Sequence, residues 1–405
     1  MSDIQASDAN ARAMIGFINW AHALDHYVIL IFPTAVLAMG PELGLAYGEM
    51  IGLSTACFVA FGVFALPAGW LGDHWSRRNM IALFFLGCGV SLVATGLASS
   101  QLALAVSLLS LGVFAAIYHP VGTTMLIAAA TRRGRALAVN GVAGNLGAAL
   151  AAAVTGLIAA YAGWRAAFVV PGLVCIVTGI AFMIVVREAA NARAQRVSKP
   201  EVPIDPRLLV VFVGLFALAV LLGGLLFTAL TVSLPKLVDE RLGDTSLPLV
   251  LIGGVATAVF LVGAMTQLAV GRLVEHFRAT TVFVGTALLQ LAGLAIAAGT
   301  TGLPMIAGLA LAMAGIYGQV TVNDVVIARF TADAWRGKVY AVRFFLGFGT
   351  AGLAVMAIGF LHDHGGFDPV FKVLLGMAAV FVASIAGIAV LAYRMEERAA
   401  GLPAE

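Results

Sequence analysis

Apolar runs separated by short polar or glycine-containing stretches alternate along almost the whole chain. A helix that crosses the roughly 30 Å hydrocarbon layer of a membrane needs about 20 predominantly apolar residues. Twelve runs reach that length, and each is predicted to be a membrane-spanning helix. These segments 1 to 12 cover residues 13–38, 48–71, 79–98, 101–130, 136–161, 166–187, 208–236, 247–271, 280–299, 303–330, 337–361 and 369–394. The pattern therefore predicts an all-α membrane protein with six segments in each half.

The second half of the chain repeats the first at an offset of 202 or 203 residues. The stretch G-x-L-x-D-H-W at 69–75 returns as G-x-L-x-E-H-F at 271–277, and Pro33 returns as Pro235. Such a repeat fixes the architecture, and two parallel halves are typical of secondary transporters that bind substrate between them. We predict two six-helix bundles, 1–187 and 208–405, joined by a polar cytoplasmic linker, 188–207.

Composition and charge define the environment of the chain. Hydrophobic residues make up 61% and charged residues only 11% of it, whereas a soluble domain carries about 25% charged residues. Short cytoplasmic loops of membrane proteins are enriched in Lys and Arg. With the N-terminus in the cytoplasm, eighteen basic residues fall on that side, four on the other, and Arg343 inside segment 11. We predict an inner (cytoplasmic) membrane protein with both termini cytoplasmic, and no nucleic-acid partner, because this bias accounts for the net charge of +3.

Several motifs resemble those of a known family. The loop G-W-L-G-D-H-W-S-R-R-N at 69–79 is similar to the signature between helices 2 and 3 of the major facilitator superfamily, with His74 and Ser76 in place of its Arg and Gly. The stretch G-W-R-x-x-F at 163–168 is also frequent in that family. I-Y-H-P-V-G at 117–122 and the histidines of segment 1 most resemble the fosmidomycin-resistance type of efflux carrier. The resemblance implies the major facilitator fold.

Charges of the signature loop are predicted to act as a gate. An anion next to a helix N-terminus is stabilised by about 0.3–1 kcal/mol at an exposed site. We expect Asp73 to contact the start of segment 11, near Arg336, and to close the cytoplasmic side, and we group Arg77 with it. By the internal symmetry, Glu275 is expected to contact segment 5. The alternative is that these charges only set the topology.

Ionisable residues inside the segments are concentrated in segments 1 and 4. A charge in the middle of a membrane costs about 2.5–3.5 kcal/mol or more, so such residues usually face a cavity. Segment 1 carries Asn19, His22, Asp25 and His26 on about 120° of one helix face. Tyr118 and His119 of segment 4 lie at a similar depth, and the family resemblance implies that both segments line the central cavity. We therefore predict one polar cluster near the midplane.

Two interpretations of this cluster are open, and a third is weaker. Imidazole and carboxylate groups in a partly dry cavity suit proton coupling, and a protonated histidine suits an anionic substrate. Alternatively, these groups only hydrogen-bond one another and hold segment 1 against segment 4. The spacing of His22 and His26 also fits metal ligands, but no known zinc motif accompanies it. We therefore predict no metal and no cofactor.

The second half carries different chemistry. Segment 7 presents Thr228 and Thr231 on one face without a charge, and Gln319 and Asn323 of segment 10 are expected to face the shared cavity. Asp324 of segment 10 and Arg343 of segment 11 lie at matched depth. We expect them to form a buried salt bridge with a structural or gating role, because an isolated arginine there would be costly. Direct contact with the substrate is the alternative.

Together these features predict a proton-coupled secondary transporter of a small, anionic or amphiphilic molecule that works as a monomer in the lipid bilayer. Efflux in exchange for protons is the leading expectation, and transport of an organic anion or a metal complex is the alternative. A membrane-embedded metal hydrolase is a remote alternative. It would need a third metal-binding helix and a water-activating carboxylate, and the parallel repeat argues against it, so no enzymatic activity is expected.

The topology can be checked with fusion reporters. A reporter fused after Arg193 should be cytoplasmic and one fused near Asp239 should be periplasmic, because an even number of crossings precedes the first site and an odd number the second. Alkaline phosphatase and fluorescent-protein fusions report the two sides. The opposite result at either site would contradict the helix count or the orientation.

Overall fold

The structure is a computed structural model that describes residues 2–187, 206–243, 247–331 and 345–399, together with 339, 342 and 343. Its helices α1 to α12 have these bounds: α1, Ser2–Ile29 and Ile31–Leu43; α2, Tyr47–Gly52 and Thr55–His74; α3, Arg77–Leu97; α4, Gln101–Ala115, Tyr118–Gly122 and Thr123–Ala129; α5 and α6, together Arg133–Val185; α7, Pro206–Arg241; α8, Leu249–His276; α9, Ala279–Gly299; α10, Gly302–Phe330; α11, Ala351–Asp363, with helical residues from 345; α12, Phe367–Ala399. Residues 188–205 of the predicted linker, and the start of segment 11 at 337–338, lie outside the described residues.

The predicted all-α fold with twelve crossings is confirmed. Eleven helical stretches among the described residues are long and apolar enough to cross a membrane. One of them, Gly134–Val185, has 52 residues, which at 1.5 Å per residue is about 78 Å and far exceeds the hydrocarbon thickness. It bends at Gly163, whose φ of 80° and ψ of 159° are not helical and suit a residue without a side chain. That stretch therefore contains both α5 and α6.

Two prolines interrupt α1 and α4. Proline lacks an amide hydrogen and its ring displaces the carbonyl group four residues earlier in a helix. Pro33 lies four residues after Ile29, where the first part of α1 ends, and the Leu30 amide bonds instead to the Tyr27 carbonyl at 3.1 Å. Pro120 lies four residues after Ala116, and α4 passes there through a wide π-helical turn, Tyr118–Gly122. Each helix crosses as one stretch where the sequence predicts segments 1 and 4, at Ala9–Leu43 and Gln101–Ala129, and the two breaks are local features that the apolar pattern does not give.

The two halves meet along α2 with α11 and along α5 with α8. Glycines allow the first pair to approach closely, since a methyl group added to Gly62 would overlap the backbone of Gly349. In the second pair, the Thr257 hydroxyl donates to the Ala149 carbonyl at 2.6 Å and accepts from the Ala153 amide at 3.2 Å. Such close contacts of small and hydroxyl-bearing residues are typical of helix packing in membranes.

One end of the bundle carries further contacts between the halves. The end that carries the signature loop, with Arg77 and Arg78, is called the arginine-rich end, and the other end of the bundle is called the opposite end. The further contacts are at the opposite end. At the opposite end the Gly48 amide donates to Asp363 Oδ1 at 2.9 Å, and the Tyr47 ring lies 4.7 Å from the His362 ring. The halves are therefore held together at the end that carries few arginines.

The contact of α2 with α11 can be tested by Gly62→Ala. Overpacking of this kind costs about 1–3 kcal/mol, so the variant should populate a state in which the halves separate at the opposite end. Distances between spin labels at Leu43 and Leu303 should lengthen. Gly254→Ala on α8 is the control, because an added methyl there meets no atom within 4 Å while the gain in helix propensity is the same. Unchanged distances in a folded Gly62→Ala variant would contradict this contact.

Candidate functional site

The site begins on α1, one turn before its break. Asp25 is 1% exposed although it is ionisable. His22 and His26 are one turn apart on the same helix, and their Nε2 atoms lie 3.2 Å apart. The helix thus presents three titratable groups to the protein interior within five positions, on the face predicted from the sequence.

The wide turn of α4 supplies the facing residues. Turns of this kind inside α-helices are frequent at functional sites. The Tyr118 ring stacks on His22, with ring centroids 4.7 Å apart and planes inclined by 20°. His119 Nε2 lies 3.4 Å from Asp25 Oδ2, and the His119 ring lies 5.5 Å from that of His22 and 5.6 Å from that of His26. The structure therefore brings these predicted residues of α1 and α4 together.

Asn140 of α5 connects this cluster, and the sequence analysis did not place it in the site. Its backbone carbonyl contacts His22 Nδ1 at 2.7 Å, and its side-chain oxygen accepts the Tyr118 hydroxyl at 2.9 Å. Its amide nitrogen donates to Asn19 Oδ1 at 3.0 Å. The available signal was the internal repeat, in which Asn140 is the counterpart of Arg343. The single residue Asn140 thus links its own helix, α5, to α1 and α4 by hydrogen bonds.

The Asp25 carboxylate has no hydrogen bond among the described residues, and His119 is its nearest ionisable group there. It lines a small cavity. Both halves form the walls, which consist of Asp25, His26, Ile29, Leu30, Phe58, Phe61, Phe227, Thr228, Thr231, Phe348 and Ala351. The buried carboxylate thus faces a mainly aromatic and aliphatic space between the bundles.

A second, larger cavity lies toward the arginine-rich end, and His119 is part of its wall. Phe61 of α2 and Phe348 of α11 line both cavities. Their rings meet edge to face at 5.2 Å, and Phe348 also stacks on His119 with centroids 5.3 Å apart. This aromatic pair, one ring from each half, separates the two spaces.

Gln319 and Asn323, which were expected to face the shared cavity, bond within the second half of the chain. Gln319 is buried against α9, where its amide donates to Gln290 Oε1 at 2.8 Å. Asn323 donates to the Gln319 carbonyl of its own helix at 3.0 Å. Neither residue lines the two cavities described above, because α10 turns this face toward its neighbour in the same half. Thr228 and Thr231 of α7 contribute the polar groups of the second half instead.

The structure contains the ion pair between Arg343 and Asp324, in which Arg343 Nη1 donates to Asp324 Oδ1. The expectation that both partners are buried is corrected. The Arg343 side chain is 16% exposed, but that of Asp324 is 50% exposed. The carboxylate therefore reaches solvent while the guanidinium is largely covered.

Charges of the signature loop are exposed. Arg77 Nη2 donates to Asp73 Oδ1 at 2.7 Å, and the Asp73 side chain is 60% exposed. The expected partner of Asp73 near Arg336 lies outside the described residues. Glu275 is exposed and makes no hydrogen bond or ion pair within the part of the chain that the structure describes, so its expected contact with α5 is not present there.

Comparisons with known proteins identify the family of this chain. Residues 15–346 match the sequence profile of the Major Facilitator Superfamily. The puromycin resistance protein of Streptomyces alboniger is 28% identical over 240 residues, which are 56% of this chain and 46% of that protein. The tetracenomycin C resistance and export protein of Streptomyces glaucescens is 27% identical over 182 residues, 44% of this chain and 32% of that protein. The probable sulfoacetate transporter of Cupriavidus necator is 32% identical over 138 residues, 32% of each chain.

The chain thus spans less than half the length of each of these three relatives. Among solved structures, a bacterial homologue of the human lysosomal transporter Spinster, in an inward-facing and unoccupied conformation, superposes with a TM-score of 0.69. That likeness covers 95% of this chain and 96% of the other at 14% identity, and it shows the fold. The narrower resemblance to fosmidomycin-resistance carriers stays a prediction. Since the family profile covers most of a chain with this fold, the protein is a multi-pass membrane protein that belongs to the major facilitator superfamily.

Proposed function

We propose that this protein is a proton-coupled secondary transporter that exports a small molecule across the inner membrane. The observation that carries the proposal is the Asp25 carboxylate, which is buried, faces a cavity between the two halves and lies 3.4 Å from His119. A group that binds and releases a proton at the substrate cavity is the minimum that coupling requires.

The surroundings of Asp25 favour the exchange of a proton. An ionised carboxylate inside a membrane is costly unless a cation or several hydrogen bonds compensate it. Asp25 has no hydrogen bond among the described residues, so it is stable with its own proton or beside a protonated His119. Either way, the pair of residues holds one proton in this conformation, and water or substrate that enters the cavity changes this balance.

Alternating access accounts for the arrangement of the cavities. The halves touch at the opposite end through Gly48 and Asp363, and the second cavity extends toward the arginine-rich end. We assign the arginine-rich end to the cytoplasm by the positive-inside rule, so this conformation corresponds to one that faces inward. Rocking of the bundles 1–187 and 208–405 about the Asp25 cavity would expose it to the other side.

Two relatives support export as the direction. The puromycin resistance protein and the tetracenomycin C resistance and export protein each match about half of this chain. The aromatic lining formed by Phe58, Phe227 and Phe348 suits an amphiphilic compound. A specific observation favours transport of an organic anion as the second candidate, because the sulfoacetate transporter is a relative and His26, which is cationic when protonated, faces the cavity.

The coupling role predicts the behaviour of Asp25→Asn in proteoliposomes. Wild-type protein should move one member of a panel that includes puromycin and sulfoacetate against its gradient when a pH gradient is imposed. Asp25→Asn should abolish this uphill transport yet keep exchange of the same compound, because the amide mimics a permanently protonated carboxyl group.

The matched control is Asp368→Asn, which removes an exposed carboxylate at the start of α12 that binds Arg241 at 2.5 Å. It should keep uphill transport. Uphill transport by Asp25→Asn with an unchanged pH profile would remove the coupling role and leave the cluster as a structural clasp between α1 and α4. Wild-type transport that ignores the pH gradient would refute proton coupling itself.

We further propose that Asp324 and Arg343 form a structural or gating pair, and that Asp73, Arg77 and Glu275 gate the cytoplasmic side. The unequal exposure of the first pair supports a structural role for its carboxylate. It offsets the charge of a guanidinium that is only 16% exposed. Exposed ion pairs contribute about 0.2–1 kcal/mol, whereas removing the partner of a covered charge costs more.

Because the Asp324 side chain is more exposed than the Arg343 side chain, the two single variants should lose different amounts of stability. Asp324→Asn should destabilise the protein by about 1–3 kcal/mol, and Arg343→Gln by less than about 1 kcal/mol, because only the carboxylate can turn to water. The double variant should be more stable than Asp324→Asn alone. Thermal unfolding in detergent measures all three, and equal, additive losses would show that the pair is not coupled.

A further inference from the structure

We infer that His22, His26 and His119 bind one divalent transition-metal ion. Each imidazole offers one nitrogen as a ligand atom, and these three nitrogens lie within 4.8 Å of one another. The spacing argument for metal ligands used only His22 and His26 of α1, and the wide turn of α4 brings His119 beside them as the third ligand. This inference goes beyond the proposed function, because it depends on ligand geometry and not on the ion that drives transport.

The protonation of His22 is set by its partner on α5. Its Nδ1 lies 2.7 Å from the Asn140 carbonyl oxygen, which can only accept a hydrogen bond. Nδ1 therefore carries the hydrogen, and Nε2 presents its lone pair toward Nε2 of His26, 3.2 Å away. A backbone carbonyl that fixes the second nitrogen is the usual support of a metal-binding imidazole, since it sets both the tautomer and the ring orientation.

The distances fit a tetrahedral ion closely on one edge and loosely on the others. With bonds of about 2.0–2.1 Å from zinc to imidazole nitrogen, two ligand atoms of a tetrahedral site lie about 3.4 Å apart. The His22 and His26 nitrogens, at 3.2 Å, match this value. The longest separation in the set is at most 4.8 Å, so closing it requires a shift of about 1.4 Å or less, within reach of a small side-chain rotation of His119.

Asp25 provides the negative charge that such an ion needs. Three neutral imidazoles leave a dication uncompensated, and this carboxylate is 1% exposed, lies beside His119 and makes no hydrogen bond among the described residues. In the metal-bound form this carboxylate would be ionised in place of holding a proton, and its charge would offset part of the charge of the ion. Imidazole with a single carboxylate suits zinc, nickel, cobalt or copper and disfavours magnesium and calcium, which prefer oxygen ligands.

The coordination would remain incomplete on one side. Asp25 and His26 both line the cavity between the halves, so the remaining position of the ion opens toward it. Metal sites with three protein ligands keep the fourth position for water or an incoming ligand. A carboxylate or hydroxyl group of a transported molecule has the chemistry to occupy that position.

Cobalt titration of the purified full-length protein, prepared without a histidine tag, tests this inference. Wild-type protein should bind one Co²⁺ per chain with visible d–d absorption bands of tetrahedral type, and an equimolar amount of Zn²⁺ should abolish them. His119→Gln should weaken the affinity more than about 100-fold, and Asp25→Asn by about 10–100-fold, as expected for an outer-shell partner.

His74→Gln is the matched control. This exposed histidine also bonds through Nδ1 to a carbonyl of its own helix, at 2.9 Å, and its replacement should leave cobalt affinity unchanged. His119→Cys separates a lost ligand from a damaged fold. A thiolate can replace the imidazole, so binding should return with an added sulfur-to-cobalt charge-transfer band in the near ultraviolet.

Either of two results would overturn the inference. One is wild-type protein that takes up no saturable cobalt. The other is equal cobalt binding by the wild type and His119→Gln, which would assign the metal to surface histidines. Neither result depends on transport, so the inference can fail while proton coupling stands, and the reverse is also true.

Discussion

A hydrocarbon layer offers no hydrogen-bond partner to the backbone, and the architecture follows from that constraint. Every amide and carbonyl group must be satisfied within the protein, so the chain crosses as helices and departs from them only where protein or a cavity covers the gap. The departure in α1, at Leu30, lies next to the cavity that Asp25 faces, and the departure in α4, before Tyr118, lies next to the second cavity. Prolines at 33 and 120 thus shape the site by removing two amide hydrogens.

The fold could be predicted because apolar run length and loop charge are direct consequences of the lipid environment. The sequence also predicted that four titratable residues lie together, namely His22, Asp25, His26 and His119. They lie at equal depth on two helices that line the same cavity, so their side chains are close to one another. The orientation of Gln319 could not, because the rotation of α10 about its axis depends on its packing against α9. Asn140 was missed for a different reason. Asn140 is uncharged and lies in a helix of small residues. Neither the free-energy cost of a charge in the membrane nor a periodic pattern of polar residues therefore distinguishes it in the sequence.

The two halves share a scaffold but divide the chemistry between them. In the first half, Asn140 gathers polar side chains of α1 and α4 around itself. In the second half, the equivalent position is Arg343, which pairs with Asp324 of α10 while threonines and phenylalanines of α7 and α11 face the cavity. The two halves have therefore diverged where they face the cavity. The wall from the first half carries the titratable side chains Asp25 and His26, whereas the wall from the second half is mainly apolar.

The pair of rings formed by Phe61 and Phe348 has a consequence for energy conservation. A carrier that stores work in a proton gradient loses that work if water forms a continuous wire through the membrane, because protons hop along such a wire faster than any substrate moves. The two rings meet at 5.2 Å between a cavity that contains Asp25 and another that contains His119. Since each ring belongs to a different half, the rocking motion proposed above would part the rings and open a continuous water path only at that moment, while the contact of Asp25 with His119 stays the direct route for a proton between the two cavities.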